Sequence, residues 1–192
     1  SIRSDQQQGK RWEYQSCCTQ ILGYIIKNVS GKTLAACADE YLWKPLGAES
    51  DALWSTDKNG IEKSFCCLNA TARDFARLGQ LVLQHGRWDS LQVIDSAYLA
   101  QMTTPASYLK DEHGNTCDWY GYQTWIINYE NHKIPYFRGI LGQFIFVIPD
   151  ENTIIVRLGK KIKKDAKDPH YQNDDIRNYL KAGLQVIAHK PA

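Results

Sequence analysis

Residues 14–47, YQSCCTQILGYIIKNVSGKTLAACADEYLWKPLG, carry the pattern from which the fold is read. Ile21, Leu22, Ile25, Ile26 and Val29 recur at i, i+1, i+4, i+5 and i+8. That spacing predicts one apolar face of a helix over residues 16–29, stopped by Gly31. A second helix over residues 33–43 opens on a small polar residue and must end before Pro45. Residues 46–60 read as a loop that closes on the turn pair Asn59-Gly60.

Downstream, Asn69 is placed to cap a helix running to His85, with Ala72, Phe75, Ala76, Leu78, Val82 and Leu83 on its inner side and Gly86 ending it. Asp95 or Ser96 caps a shorter helix that Pro105 closes. The period then changes. Residues 120–129, 140–148 and 153–158 are rich in β-branched and aromatic side chains, and Pro149-Asp150-Glu151-Asn152 joins the last two as a hairpin. Residues 174–189 place Ile176, Tyr179, Leu180, Leu184 and Ile187 on one stripe, a helix expected to pack on the sheet. The expected class is α+β, with a helical region over residues 1–117 and antiparallel strands plus a C-terminal helix over 118–192. Strand 143–148 is apolar on both faces, yet the last helix can cover only one. The second face and one sheet edge are therefore expected to want cover, from an upstream segment or by self-association through the sheet.

Composition narrows the function. With 192 residues, 43% hydrophobic and 23% charged, the chain is long enough for a real core. Its net charge of +2 gives no footprint for a polyanion. The basic run Lys160, Lys161, Lys163, Lys164 sits beside Asp165 and Asp168 and reads as a solvated loop, so neither nucleic acid nor a membrane surface is an expected partner. No apolar run reaches the roughly 18 residues of a membrane span. Residues 1–10 are polar and unlike a signal peptide, and Asp5-Gln6-Gln7-Gln8-Gly9 reads like a loop met in mid-domain. The six cysteines include two vicinal pairs, Cys17-Cys18 and Cys66-Cys67, read as small buried residues at helix starts; disulfides stay open. The five histidines are isolated, so no metal site and no cofactor is expected.

Three passages carry a family resemblance. Tyr14-Gln15-Ser16 stands directly before a helix, approached by Arg11-Trp12-Glu13. It is followed by Ser30-Gly31-Lys32-Thr33-Leu34 and by Leu42-Trp43-Lys44-Pro45-Leu46-Gly47. This passage resembles the second motif, Y-x-N or Y-x-S, of the β-lactamase and penicillin-binding serine hydrolases. Residues 69–79 resemble the helix that precedes the family's return to its α/β part, where Arg73 and Asp74 read as structural. Phe137-Arg138-Gly139, followed by residues 140–158, resembles the strand of the third, K-T-G-like motif and its hairpin. The resemblance covers roughly residues 9–188.

In such hydrolases an S-x-x-K serine is the nucleophile, its lysine lowers the proton affinity of that serine, the motif tyrosine relays the proton and the third-motif strand offers an N–H to the oxyanion hole. The resemblance thus implies Tyr14 as catalytic, Ser16, Arg138 and Gly139 in the substrate pocket, and Ile140 N–H as an oxyanion donor. The absent lysine and threonine of the third motif argue against clamping a β-lactam carboxylate, so the expected substrate is an ester or amide, a peptide among them, with a β-lactam disfavoured. The S-x-x-K at Ser55-Thr56-Asp57-Lys58 follows Tyr14 and runs into Asn59-Gly60, so it lacks the helical turn that stacks lysine on serine. The nucleophile and its lysine are expected upstream, on a part of the fold outside these residues. A bacterial periplasmic or secreted location is implied in the same way. The alternative is a non-catalytic relative that binds a ligand or pairs with a partner.

Overall fold

The computed structural model describes residues 8–161 and 174–189. Helix α1 spans Ser16–Ser30 and α2 Leu34–Ala38, continued by a π-helical turn over Asp39–Trp43. Strands β1 (Leu53–Trp54) and β2 (Leu68–Asn69) form a short ribbon before α3 (Ala72–Leu83). A second ribbon, β3 (Arg87–Trp88) and β4 (Leu91–Gln92), precedes α4 (Ser96–Met102). The sheet follows as β5 (Trp125–Tyr129), β6 (His132–Gly139), β7 (Gln143–Ile148) and β8 (Thr153–Arg157), antiparallel in the order β5-β6-β7-β8. Helix α5 (Asp174–Ala188) completes the described chain. The fold is α+β, as the sequence predicts; Lys163 and Lys164 of the basic run lie outside the described residues.

The expected helix starts and stops hold, with shifts. Gly31 ends α1 in the left-handed region at φ 67°, its N–H donating to Lys27 O, because a residue without Cβ takes that conformation at least cost. Asp95 caps α4 by accepting from Tyr98 N. Asn69 does not cap α3. It lies in β2, and Thr71 caps instead, accepting from Asp74 N while its hydroxyl donates to Asp74 Oδ2 at 2.7 Å.

Helix α1 corrects a larger expectation. Its apolar stripe does not face the core of this chain: Ile21, Leu22, Ile25 and Ile26 are about half exposed and Val29 is 84% exposed. The opposite, polar side docks by hydrogen bonds. Gln20 Nε2 donates to Glu62 O, Ser64 N to Gln20 Oε1 and Ser64 Oγ to Thr19 O. Gly23 permits this approach, since a Cβ there would lie 2.6 Å from Ser64 Oγ.

The cysteines depart from expectation too. Cys17 and Cys18 do start α1, but Cys18 is exposed; Cys66 and Cys67 sit in the turn before β2, joined as a disulfide. The buried thiols are Cys37 and Cys117.

Strand β7 is apolar on both faces, and the chain covers both. Phe144, Phe146 and Ile148 pack with Ile176 and Leu180 of α5 in the main core. On the other face α3 lies against β7 and β8. Gly79 comes so close that a Cβ would stand 2.8 Å from Ile154 Cγ2 and 2.9 Å from Ile145 Cγ2. The expected open face is therefore closed by α3, whose glycine lets the backbone approach the sheet. Among the described residues β8 pairs only with β7, so it is an edge. The strand expected to begin at residue 140 begins at Gln143, and Ile140 lies in the β6–β7 turn.

Asp74 is a buried carboxylate that ties α3 to the loop ahead of β1. It accepts from Glu49 N at 2.7 Å, and Arg77 Nε lies 3.7 Å away. Burial opposes its charge, but the bonds from Thr71 and Glu49 and the Arg77 charge outweigh it, so its pKa lies below the usual carboxylate range. A group depressed in this way stabilises the fold fully above its unfolded pKa of about 4, and the contribution fades as pH falls through the lower folded value. Asp74→Ala should therefore cost about 3 kcal/mol at pH 7 by leaving these donors buried without their acceptor. In urea melts the gap between the native protein and Asp74→Asn should shrink below about pH 4. A constant gap across that range would show that the carboxylate charge is not what stabilises.

Candidate active site

The approach to α1 is fixed by a short ladder. Trp12 N donates to Lys110 O at 2.8 Å and Lys110 N to Lys10 O at 3.1 Å. Trp12 thereby reaches the aromatic cluster at the sheet, with ring centroids 5.6 Å from Trp119, 5.5 Å from Tyr120 and 6.2 Å from Trp125. Tyr14, two residues on, stands against the same cluster, 5.4 Å from Trp125 and 6.2 Å from Tyr120, while 50% of it stays exposed. Its ring is thus braced on one side and open on the other.

The open side faces a cleft of about 420 Å³. Its walls include Tyr14, Gln15, Cys18 and Thr19 from the start of α1, Tyr98 of α4, and Tyr120, Tyr122 and Gln123 from the loop before β5. Thr19 Oγ1 donates to Gln123 Oε1 at 3.3 Å and links α1 to that loop. Arg11 is the cleft's cation and lies within 4 Å of Glu13 (3.9 Å) and Glu112 (3.8 Å).

Two other titratable groups here are held neutral. Burial pushes the Tyr120 phenol up, and Tyr14 beside it adds to the shift, so Tyr120 offers a hydroxyl, not a phenolate. Partial burial and the neighbouring Cys17 raise the Cys18 thiol, which disfavours the reactive thiolate.

The predicted site residues are only partly gathered. Ser16 is exposed at the first position of α1, behind a Gln15 whose side chain makes no cap bond to the helix. Arg138, near the end of β6, places its guanidinium carbon 5.3 Å from the Trp125 ring centroid. Trp125 therefore contacts both Tyr14 and Arg138, joining the second-motif and third-motif passages through one side chain. Gly139 pairs with Gln143, and Ile140 is 79% exposed in the following turn. Of the predicted residues, Tyr14 alone lines the cleft. Ser55 and Lys58 lie on no helix. Ser55 N donates to Cys67 O, and Asp57 Oδ1 accepts from Asn59 and Ile61 N to close a turn at Gly60, φ 77°. Sequence reading missed Trp125, Tyr120 and Tyr98. For Trp125 and Tyr120 the only signal was the density of aromatics between residues 119 and 125, and Tyr98 carried none.

A sheet with helices on both faces and a Y-x-S tyrosine at a helix start fit the expected resemblance to the β-lactamase and penicillin-binding family. The family model described as Beta-lactamase matches residues 2–178, and the chain belongs to the β-lactamase family. A curated relative, the 6-aminohexanoate-dimer hydrolase of Paenarthrobacter ureafaciens, is 27% identical over 193 aligned residues, covering 97% of this chain and 48% of its own length. A solved Bacillus anthracis structure, provisionally assigned as a 6-aminohexanoate-dimer hydrolase, superposes with TM-score 0.81 at 28% identity, covering 97% of this chain and 46% of that one. The octameric penicillin-binding protein homologue from Pyrococcus abyssi shares the fold, with TM-score 0.65 at 21% identity over 93% of this chain and 43% of its own. The chain thus spans about half the length of the relatives it matches. Among the described residues no helix is long and apolar enough to cross a membrane.

Proposed function

We propose that this chain supplies the Tyr14 wall of a serine hydrolase that cleaves an ester or amide through an acyl-enzyme. The observation that carries the reading is Tyr14 itself. It immediately precedes α1, is braced by Trp125 and Tyr120, and opens on a cleft while Arg138 of the third-motif strand meets the same tryptophan. In this reading Tyr14 relays the proton, Ser16, Arg138 and Gly139 contact substrate, and Ile140 N–H receives the oxyanion. The nucleophile and its lysine come from the portion of the fold that the relatives have beyond this chain's span. That portion also covers the apolar stripe of α1.

The substrate is an amide or ester other than a β-lactam. Phe137-Arg138-Gly139 lacks the lysine and threonine that hold a β-lactam carboxylate. The 27%-identical relative is named for the dimer of an amino acid, which supports an amide. Labelling the whole protein with a fluorophosphonate, followed by peptide mapping, tests the reading. The expected result is a single adduct, on an S-x-x-K serine outside these 192 residues. No adduct in a folded protein would favour a non-catalytic relative that binds a ligand or pairs with a partner.

A further inference from the structure

The β6–β7 turn is an unusual place to hold a group still. Ile140 is 79% exposed, so burial does not fix it. The next two residues, Leu141 at φ 60° and Gly142 at φ 83°, both occupy the left-handed region. A leucine there costs roughly 1–2 kcal/mol and persists only where its surroundings determine it.

The surroundings are one side chain from β8 and one from β7. Arg157 Nη1 donates to Leu141 O at 3.2 Å and to Gly142 O, and its Nη2 donates to Lys161 O at 3.2 Å. Gln143 exchanges both of its amide bonds with Gly159, accepting from Gly159 N at 2.9 Å and donating to Gly159 O. The guanidinium is itself backed by the Tyr179 ring of α5, 4.8 Å from its centroid. A planar fork with five N–H donors can strap several carbonyls at once, which an ammonium on a flexible stem does poorly.

We propose that Arg157 is a positioning residue for the oxyanion hole: by strapping Leu141 and Gly142 it sets the direction of the Ile140 N–H. This rests on the reading of Ile140 as the oxyanion donor. Such a donor acts only when it is preset about 2.7–3.1 Å from where the oxyanion forms. A drift of about 1 Å can cost on the order of 10² in rate.

The test is Arg157→Lys in the whole protein, assayed on p-nitrophenyl butyrate and on its thionoester, with thermal melting alongside. The expected result is a kcat at least tenfold lower on the ester with KM within about twofold. The ester-to-thionoester rate ratio should fall as well, because a looser hole discriminates less between oxygen and the larger sulfur. A purely structural role would lower both substrates by one factor. Equal losses, or unchanged kcat with an unchanged melt, would overturn the proposal. Ile140→Pro, which removes the N–H, separates the two levels. Unaffected turnover in a folded Ile140→Pro protein sinks the oxyanion reading, and this proposal with it. A loss in Ile140→Pro with none in Arg157→Lys sinks the positioning role alone.

Discussion

The 192-residue chain, purified by itself, is expected to turn over neither nitrocefin nor p-nitrophenyl esters above background. Within it two serines have a lysine three residues on, and neither pair lies on a helix: Ser107 sits in a turn whose Lys110 donates to Lys10 O and Thr116 Oγ1, and Ser55 opens a turn closed by Asp57 and Gly60. Lys58 therefore cannot stack one helical turn from Ser55, the arrangement in which lysine would accept the serine proton. Two of the thiols are also disfavoured as nucleophiles. Burial holds Cys117 protonated, its pKa pushed up to about 11, and Cys18 is raised as well. Losing a nucleophile costs on the order of 10⁶ in turnover. The exposed stripe of Ile21, Leu22, Ile25, Ile26 and Val29 adds a second expectation for the same sample. Contiguous apolar surface of that kind drives association, so sedimentation should show species larger than a monomer. Saturable turnover abolished by Ser55→Ala would overturn the assignment of the nucleophile. A monomer with a sharp, concentration-independent melt would show that the stripe needs no partner.

The elements were legible where local chemistry decides them. Gly31 after an apolar period, Asp95 before α4 and the Pro149–Asn152 turn each act within a few residues, and the fold has them where the sequence puts them. What covers each face was not legible, because periodicity says which residues share a face and not what meets it. On α1 the hydrogen bonds of Thr19 and Gln20 to residues 62–64 dock the polar side and turn the stripe outward. On β7 the missing cover is α3, and Gly79 was the readable sign that a helix would press its backbone on a sheet.

Of strand β6 only the end, Phe137-Arg138-Gly139, was read, through the third motif; its earlier part contains Pro135, which lacks a ladder donor. Pro135 pairs with Ile126 of β5, and the ladder to β7 starts only at Tyr136, so the sheet accommodates it. Thr71 was overlooked in favour of Asn69, although Thr71-x-x-Asp74 is a capping pair by spacing. At the site, Tyr14 could be read from a motif at a helix start. Trp125 and Tyr120 could not, because they meet Tyr14 only through the register of the sheet and the ladder from Trp12 to Lys110.

Replacing Tyr14 by phenylalanine in the whole protein is the second large effect, and it bears on the central claim. The substitution removes one hydroxyl and keeps the ring that packs on Trp125 and Tyr120. Half of Tyr14 is exposed, so the loss should cost the fold little. Tyr120 cannot take over, because burial pushes its phenol further from ionisation. Loss of a general acid–base group lowers rates by about 10²–10⁴. Steady-state kinetics of Tyr14→Phe on a p-nitrophenyl ester, read beside its melting temperature, is therefore the most direct measurement. The account predicts kcat at least 10² lower with an unchanged melt. An unchanged rate at unchanged stability would remove Tyr14 from the mechanism and contradict the account.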